Sequence, residues 1–127
     1  MSNELRLRSH RELSGFEQGS ACFEYQVWDV HNRLVYVGIA DSFTHRWTQH
    51  RRSSWWLGEV EIAYVDVTGW PSREAARMSE AVVINTQSPV YNTALEEGAY
   101  RRALAADESN SWPPPCDRSI YVLEAAA

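Results

Sequence analysis

Lysine is absent from this chain of 127 residues, and all twelve of its basic side chains are arginine. Against seventeen acids they leave a formal net charge of −5, which excludes coating of nucleic acid through a general excess of cations. A local basic face remains compatible with that balance. Arginine without lysine favours planar, two-pronged phosphate contacts, and it follows equally from a GC-rich coding sequence. Cysteine is scarce as well. Cys22 and Cys116 stand alone, without a Cys-x-x-Cys pair or a histidine cluster, so neither a zinc site nor a disulfide framework is indicated. No apolar run approaches the ~20 residues that span a bilayer, and the first residues lack the apolar stretch of a secretion signal. A soluble, intracellular, cytoplasmic protein with no membrane partner is therefore expected.

An apolar fraction of 44% suffices for one modest core, so a single domain with tails is expected. The acidity is concentrated late in the chain: residues 22–92 carry six Arg against eight acids, and residues 93–127 three against six. Phe23, Tyr25 and Val27 alternate with Glu24, Gln26 and Trp28 in the period of a strand. The polar residues 29–33 suit a hairpin turn, and 34–37 form the returning strand, ended by Gly38. Asp41 or Ser42 can cap a helix over 43–52. Residues 61–67, rich in β-branched side chains, predict a third strand that Gly69 and Pro71 break. Ser72 caps the longest helix, over 73–86, which Pro89 keeps from extending. The element order is ββαβα. A Thr93-x-x-Glu96 capping box predicts a further helix over 94–105. Trp112-Pro113-Pro114-Pro115 must be extended, and 119–123 suit a last short strand. A short helix or strand is compatible with residues 4–13.

Several chemically active residues recur at defined separations. Tyr36-Val37-Gly38 follows Tyr25 by eleven positions, Arg46 lies ten and His50 fourteen beyond Tyr36, Glu80 falls mid-helix, and Pro89-Val90-Tyr91-Asn92 closes the set. In this order and spacing the stretch from about 22 to 94 resembles the GIY-YIG nuclease family. The first signature departs from the family, since Phe23-Glu24 stands where a glycine and a small apolar residue are usual. Strand alternation points Glu24 to the face opposite Tyr25. The resemblance implies an α+β fold, a GIY-YIG-like ββαβα domain with a small three-stranded antiparallel sheet flanked by helices. It divides the chain into an N-terminal extension (1–21), a nuclease-like domain (22–94) and a C-terminal helix with an acidic, proline-containing tail (95–127).

It further implies a hydrolase: an endonuclease dependent on one Mg²⁺ or Mn²⁺, in which water attacks a DNA phosphodiester in line. Such chemistry needs charge stabilisation on the phosphate and at the leaving oxygen, and a hard cation held by one carboxylate supplies both. Glu80 takes the place of that ligand; without the resemblance its plain alternative is a surface ion pair with Arg77. Arg46 and His50, one helical turn apart, share a face. The family assigns its arginine to the charged transition state, while a solvated basic helix end is the other possibility. Tyr25 and Tyr36 on adjacent strands are either core aromatics or, as in the family, groups that activate water, with a pKa that falls beside the arginine and metal. His50 could share that proton. Asn92 orients the site or caps a turn. Gly38, Arg51 and Arg52 are nucleic-acid-binding candidates, and Trp47, Trp55, Trp56 and Trp70 either stack on bases or pack internally. The expected partner is duplex or branched DNA, with specificity supplied by a dimer, a partner protein or the DNA structure itself. A function of another class keeps the fold as a non-catalytic module that binds nucleic acid or a protein. As a separate alternative, the acidic tail of residues 93–127 blocks the site as an inhibitory or partner-docking element.

Overall fold

The computed structural model describes residues 5–7, 20–53, 55–92 and 97–123. It is a small α+β protein built on an antiparallel sheet. In chain order the elements are β1 (Leu5–Leu7), β2 (Cys22–Asp29), β3 (Leu34–Ala40), α1 (Phe43–Ser53), a 3₁₀ turn (Trp55–Gly58), β4 (Ile62–Trp70), α2 (Arg73–Gln87), α3 (Glu97–Glu108) and β5 (Asp117–Leu123). Five strands are present, in the order β1-β5-β4-β2-β3, rather than the three expected. The additional two come from the chain's first and last segments; residues 119–123 suit a strand and 4–13 are compatible with one, but their pairing into this sheet is non-local and leaves no short-range signal. The Thr93-x-x-Glu96 capping box lies outside the described residues.

The hairpin between β2 and β3 turns on Asp29, whose Oδ1 accepts from the His31 and Arg33 backbone N–H groups at 2.9 Å each. Arg33 Nε closes on Oδ2 at 2.8 Å, and Asn32 takes the left-handed conformation, with φ 60°, that a tight turn needs. β3 runs through Gly38 to Ala40, and β4 through Gly69 to Trp70, so neither glycine ends its strand as expected. Cross-strand pairing on β2, with Tyr25 opposite both Gly38 and Val67, overrides the local preference of glycine for turns.

One face of the sheet packs on α1. Phe43, Trp47 and His50, spaced four and three apart, form its buried stripe against Phe23, Tyr25, Val27, Val65, Val67 and Tyr121. The other face packs on α2, where Val83 and Ile84 meet Leu34 and Val37. Ser72 caps α2 as expected, its Oγ accepting from Ala75 N–H at 3.1 Å; Ser88 ends it in the left-handed region ahead of Pro89. α3 lies along α2, tied by Arg102 Nε to Glu74 Oε1 at 2.6 Å. β5 fits between β1 and β4, and Arg118 grips Asp66 of β4 with two hydrogen bonds. Residues 117–123 of the acidic tail are therefore part of the sheet.

Glu24 does point away from Tyr25, but toward α2 rather than into solvent, and only 3% of it is exposed. Gln26 Nε2 donates to its Oε1 at 3.2 Å, while Oε2 has no hydrogen-bond partner. Burial, with the Asp66 charge adding to it, pushes this carboxyl from 4.5 up to about 7, against the opposing pull of the Ser79 hydroxyl and Gln26. Folded protein keeps the proton where unfolded chain gives it up, so the contribution is complete below pH 4.5 and lost as pH rises through 7. The loss amounts to about 3 kcal/mol. Denaturant unfolding across that range should show Glu24→Gln gaining on the wild type as pH rises. Curves that stay parallel would mean that the folded state carries Glu24 as an ordinary carboxylate.

Candidate functional site

The site begins with a close approach between two strands. Tyr25 on β2 faces Gly38 on β3, and its ring lies over the glycine: a Cβ there would come within 2.5 Å of Tyr25 Oη and 2.7 Å of Cζ. Gly38 is itself buried, so its contribution is this missing side chain; it offers no surface for the nucleic-acid contact expected of it. Two positions along β3 on the same face, Tyr36 brings its ring centroid to 6.0 Å from that of Tyr25. α1 adds His50, with centroids 5.7 Å from Tyr25 and 5.2 Å from Tyr36. The three rings form a triangle, and Tyr25 Oη lies 2.7 Å from His50 Nε2.

Arg46, one turn before His50, lies close enough to the Tyr25 phenol for its charge to act on it and reaches Gln49 Oε1 at 3.2 Å. Tyr25, Tyr36, Arg46 and His50 are thus brought together, as their spacing implied. Tyr25 has no exposed surface and Tyr36 is half-buried, so of the two hydroxyls only Tyr36 is open to a phosphate. Glu80 is half-buried on α2, close enough for its charge to act on Tyr36.

The electrostatics differ from expectation in one respect. Both phenols are raised above the ordinary tyrosine value, chiefly by burial, and Tyr25 far more than Tyr36. Arg46 pulls each of them down but does not overcome desolvation. The bond between the two hydroxyls favours ionisation at Tyr36 over Tyr25. Burial and the Arg46 charge lower His50 from 6.5 to about 4. Its imidazole is therefore neutral at neutral pH and able to accept a proton. Unfolded His50 binds a proton that folded His50 refuses, so this group lowers stability as pH falls from 6.5 through 4.

Asn92 does not aim its amide at the cluster. Oδ1 accepts from Val37 N–H at 2.9 Å and Nδ2 donates to Val37 O at 3.0 Å, so the side chain pairs with the outer edge of β3 like one residue of a sixth strand. Tyr91 N–H to Val35 O at 2.8 Å continues the pairing. Asn92 is a positioning residue that secures the strand carrying Tyr36 and Gly38. The side chains of Trp55 and Trp56 lie outside the described residues, and Trp47 and Trp70 are buried, which removes them as base-stacking platforms.

Arg46 separates two clefts. One, of about 400 Å³, is lined by Arg46, Gln49, His50, Arg52 and Ser53. The other, of about 300 Å³, has Asp41, Ser42, His45, Arg46, Gln49 and Arg73 among its walls. Arg51 and Arg52 are both exposed at the end of α1, and Arg52 lines the larger of these two clefts. Gln49 and Arg73 are not among the expected site residues, and the sequence assigns His45 no function. Helical spacing from Arg46 signals Gln49, while nothing local signals Arg73. No protein-family model matches this chain, and no curated protein or solved structure does.

Two outcomes follow from the triangle of rings. Gly38→Ala should destabilise the fold by about 1–3 kcal/mol in denaturant unfolding, since backbone and a buried ring must separate to admit one methyl group; a stability equal to wild type would mean the ring lies elsewhere. By NMR, His50 should titrate near pH 4, and Arg46→Ala should move its midpoint upward, whereas a wild-type midpoint at 6.5 would place the ring in solvent.

Proposed function

We propose that this protein is a divalent-metal-dependent endonuclease of GIY-YIG type, hydrolysing DNA phosphodiester bonds by in-line attack of water. The observation that carries this is a buried phenol bonded to a histidine, with that histidine and Arg46 lining one cleft a helical turn apart. A packing cluster has no need of a guanidinium there, and a solvated helix end would not set its charge beside a buried hydroxyl.

A phosphate in the larger cleft meets Arg46, whose planar fork suits two of its oxygens and whose charge opposes the extra negative charge of the transition state. Arg52, at the same wall, holds backbone. A proton lost from a water beside Tyr36 can pass through the Tyr25 hydroxyl to Nε2 of His50, across the 2.7 Å contact. Because both phenols resist ionisation, they pass the proton on, and His50, a weak base with a pKa of about 4, takes it only in passing before it leaves to solvent in the cleft that His50 lines. Glu80 would hold the cation. Among the described residues no group of three or more His, Cys, Asp and Glu could hold an ion, so a lone carboxylate fits Mg²⁺ or Mn²⁺, which keep several waters, better than zinc. Bound there, the ion would neutralise charge on the non-bridging and leaving oxygens.

Incubation with duplex, branched and single-stranded DNA in Mg²⁺ or Mn²⁺ tests this. The wild type should nick or cut at least one, and Arg46→Ala should lower the rate by about 10²–10³. Glu80→Ala should abolish cleavage with thermal unfolding unchanged. Equal cleavage by wild type and Glu80→Ala would overturn the assignment of the metal ligand. A wild type that neither cuts nor binds Mn²⁺ would instead be a non-catalytic binding module.

A further inference from the structure

The second cleft is not needed to hold one phosphate at Arg46, yet it is built from the same materials. Its walls include His45, Arg46 and Gln49 on α1, Ser42 before that helix, and Arg73 at the start of α2. Together with Arg52 and Ser53 of the first cleft, these α1 positions follow helical spacing and make one outward stripe. α1 contains no acidic residue, although the chain as a whole carries a net charge of −5. The stripe presents hydrogen-bond donors along the ~16 Å of an eleven-residue helix.

Arg73 Nη1 lies 3.0 Å from Asp41 Oδ1, and the two side chains are 59% and 81% exposed. So open an ion pair is held weakly and is easily exchanged for another anion. The geometry fits a strand lying along α1, with one phosphate at Arg46 and a neighbouring one reaching Arg73.

Resting on the nuclease reading above, we propose that the second cleft is a subsite for a flanking phosphodiester of the same DNA strand, in which Arg73 binds the phosphate in exchange for Asp41. His45 and Gln49 line the path between the two phosphates. Asp41 opposes the incoming phosphate, so the site carries its own electrostatic brake.

Fluorescence anisotropy with labelled DNA, Ca²⁺ replacing Mg²⁺, gives the affinity and its salt dependence without cleavage. Arg73→Gln should weaken binding about fivefold to tenfold and reduce the slope of log K against log salt by about one. Asp41→Asn should tighten binding. The double variant Asp41→Asn/Arg73→Gln has the wild-type net charge; it should still bind more weakly than wild type, because the contact itself is lost. Wild-type affinity and slope in Arg73→Gln, or full recovery in the double variant, would overturn the subsite. Circular dichroism and thermal unfolding confirm that the variants fold, and both substitutions lie on exposed side chains. If the wild type cuts DNA while Arg73→Gln binds normally, the subsite falls and the nuclease stands. If it fails to cut but Arg73→Gln binds weakly with the reduced slope, the strand path stands and the cutting falls. A wild type that binds no DNA removes both.

Discussion

Tyr25 can lie where it does only because position 38 has no side chain. The ring occupies the space of the missing Cβ, which sets the distance of its hydroxyl from the β3 backbone and brings it within reach of α1. Three features depend on that contact. β2 and β3 must keep a register that places 25 opposite 38; Tyr36 must fall on the same face; and α1 must dock with Phe43, Trp47 and His50 inward, which turns Arg46 toward the phenol. Asn92 protects the arrangement from outside. An outer strand held only on one side is free to slip, and a slip of one residue would carry Tyr36 to the α2 face. Clamping Val37 through both of its backbone groups blocks that movement immediately beside Gly38.

Burial acts on both faces of the same strand with opposite chemical outcomes. On the α1 side it discharges an imidazole and holds two phenols protonated, producing a chain of neutral donors and acceptors next to one permanent cation. On the α2 side it keeps a carboxyl protonated into the neutral range. A proton that moves between neutral groups leaves opposite charges behind, which a medium of low dielectric opposes unless the proton is passed on at once. The arginine, which cannot give up its proton, supplies the fixed positive potential there.

Most local structure was legible because it rests on local causes. Alternation along 23–28 placed Tyr25 and Glu24 on opposite faces, the spacing of Arg46 and His50 put them on one helical turn, and Ser72 is the N-cap its residue type suggests. What escaped depends on distant partners. Gly38 and Gly69 read as strand breakers, yet pairing carries the strands through both. β1 finds its neighbour β5 across most of the chain. The phenol pKa was expected to fall beside an arginine and a metal; Tyr25 is instead the core aromatic that was its alternative, and burial outweighs the arginine. Asn92 looked like a ligand for phosphate, since its type is suited to that, but it is equally suited to imitate a peptide group. Arg73 reaches Asp41 from 32 positions away, through the packing of α2 on the sheet.

The order of strands also governs the order in which the molecule can be assembled. Among the five described strands β1 leaves a ribosome before the others, and its neighbour in the sheet, β5, leaves after them. Through synthesis of everything between them, Leu5–Leu7 has no strand to join, whereas β2, β3 and β4 can pair and receive α1 and α2 as they emerge. Closure of the far side of the sheet is therefore a late event that waits for β5, although by then β1 is tethered to the folded sheet through the short stretch before β2. The tyrosine cluster lies on the side completed early, so its formation need not wait for that closure.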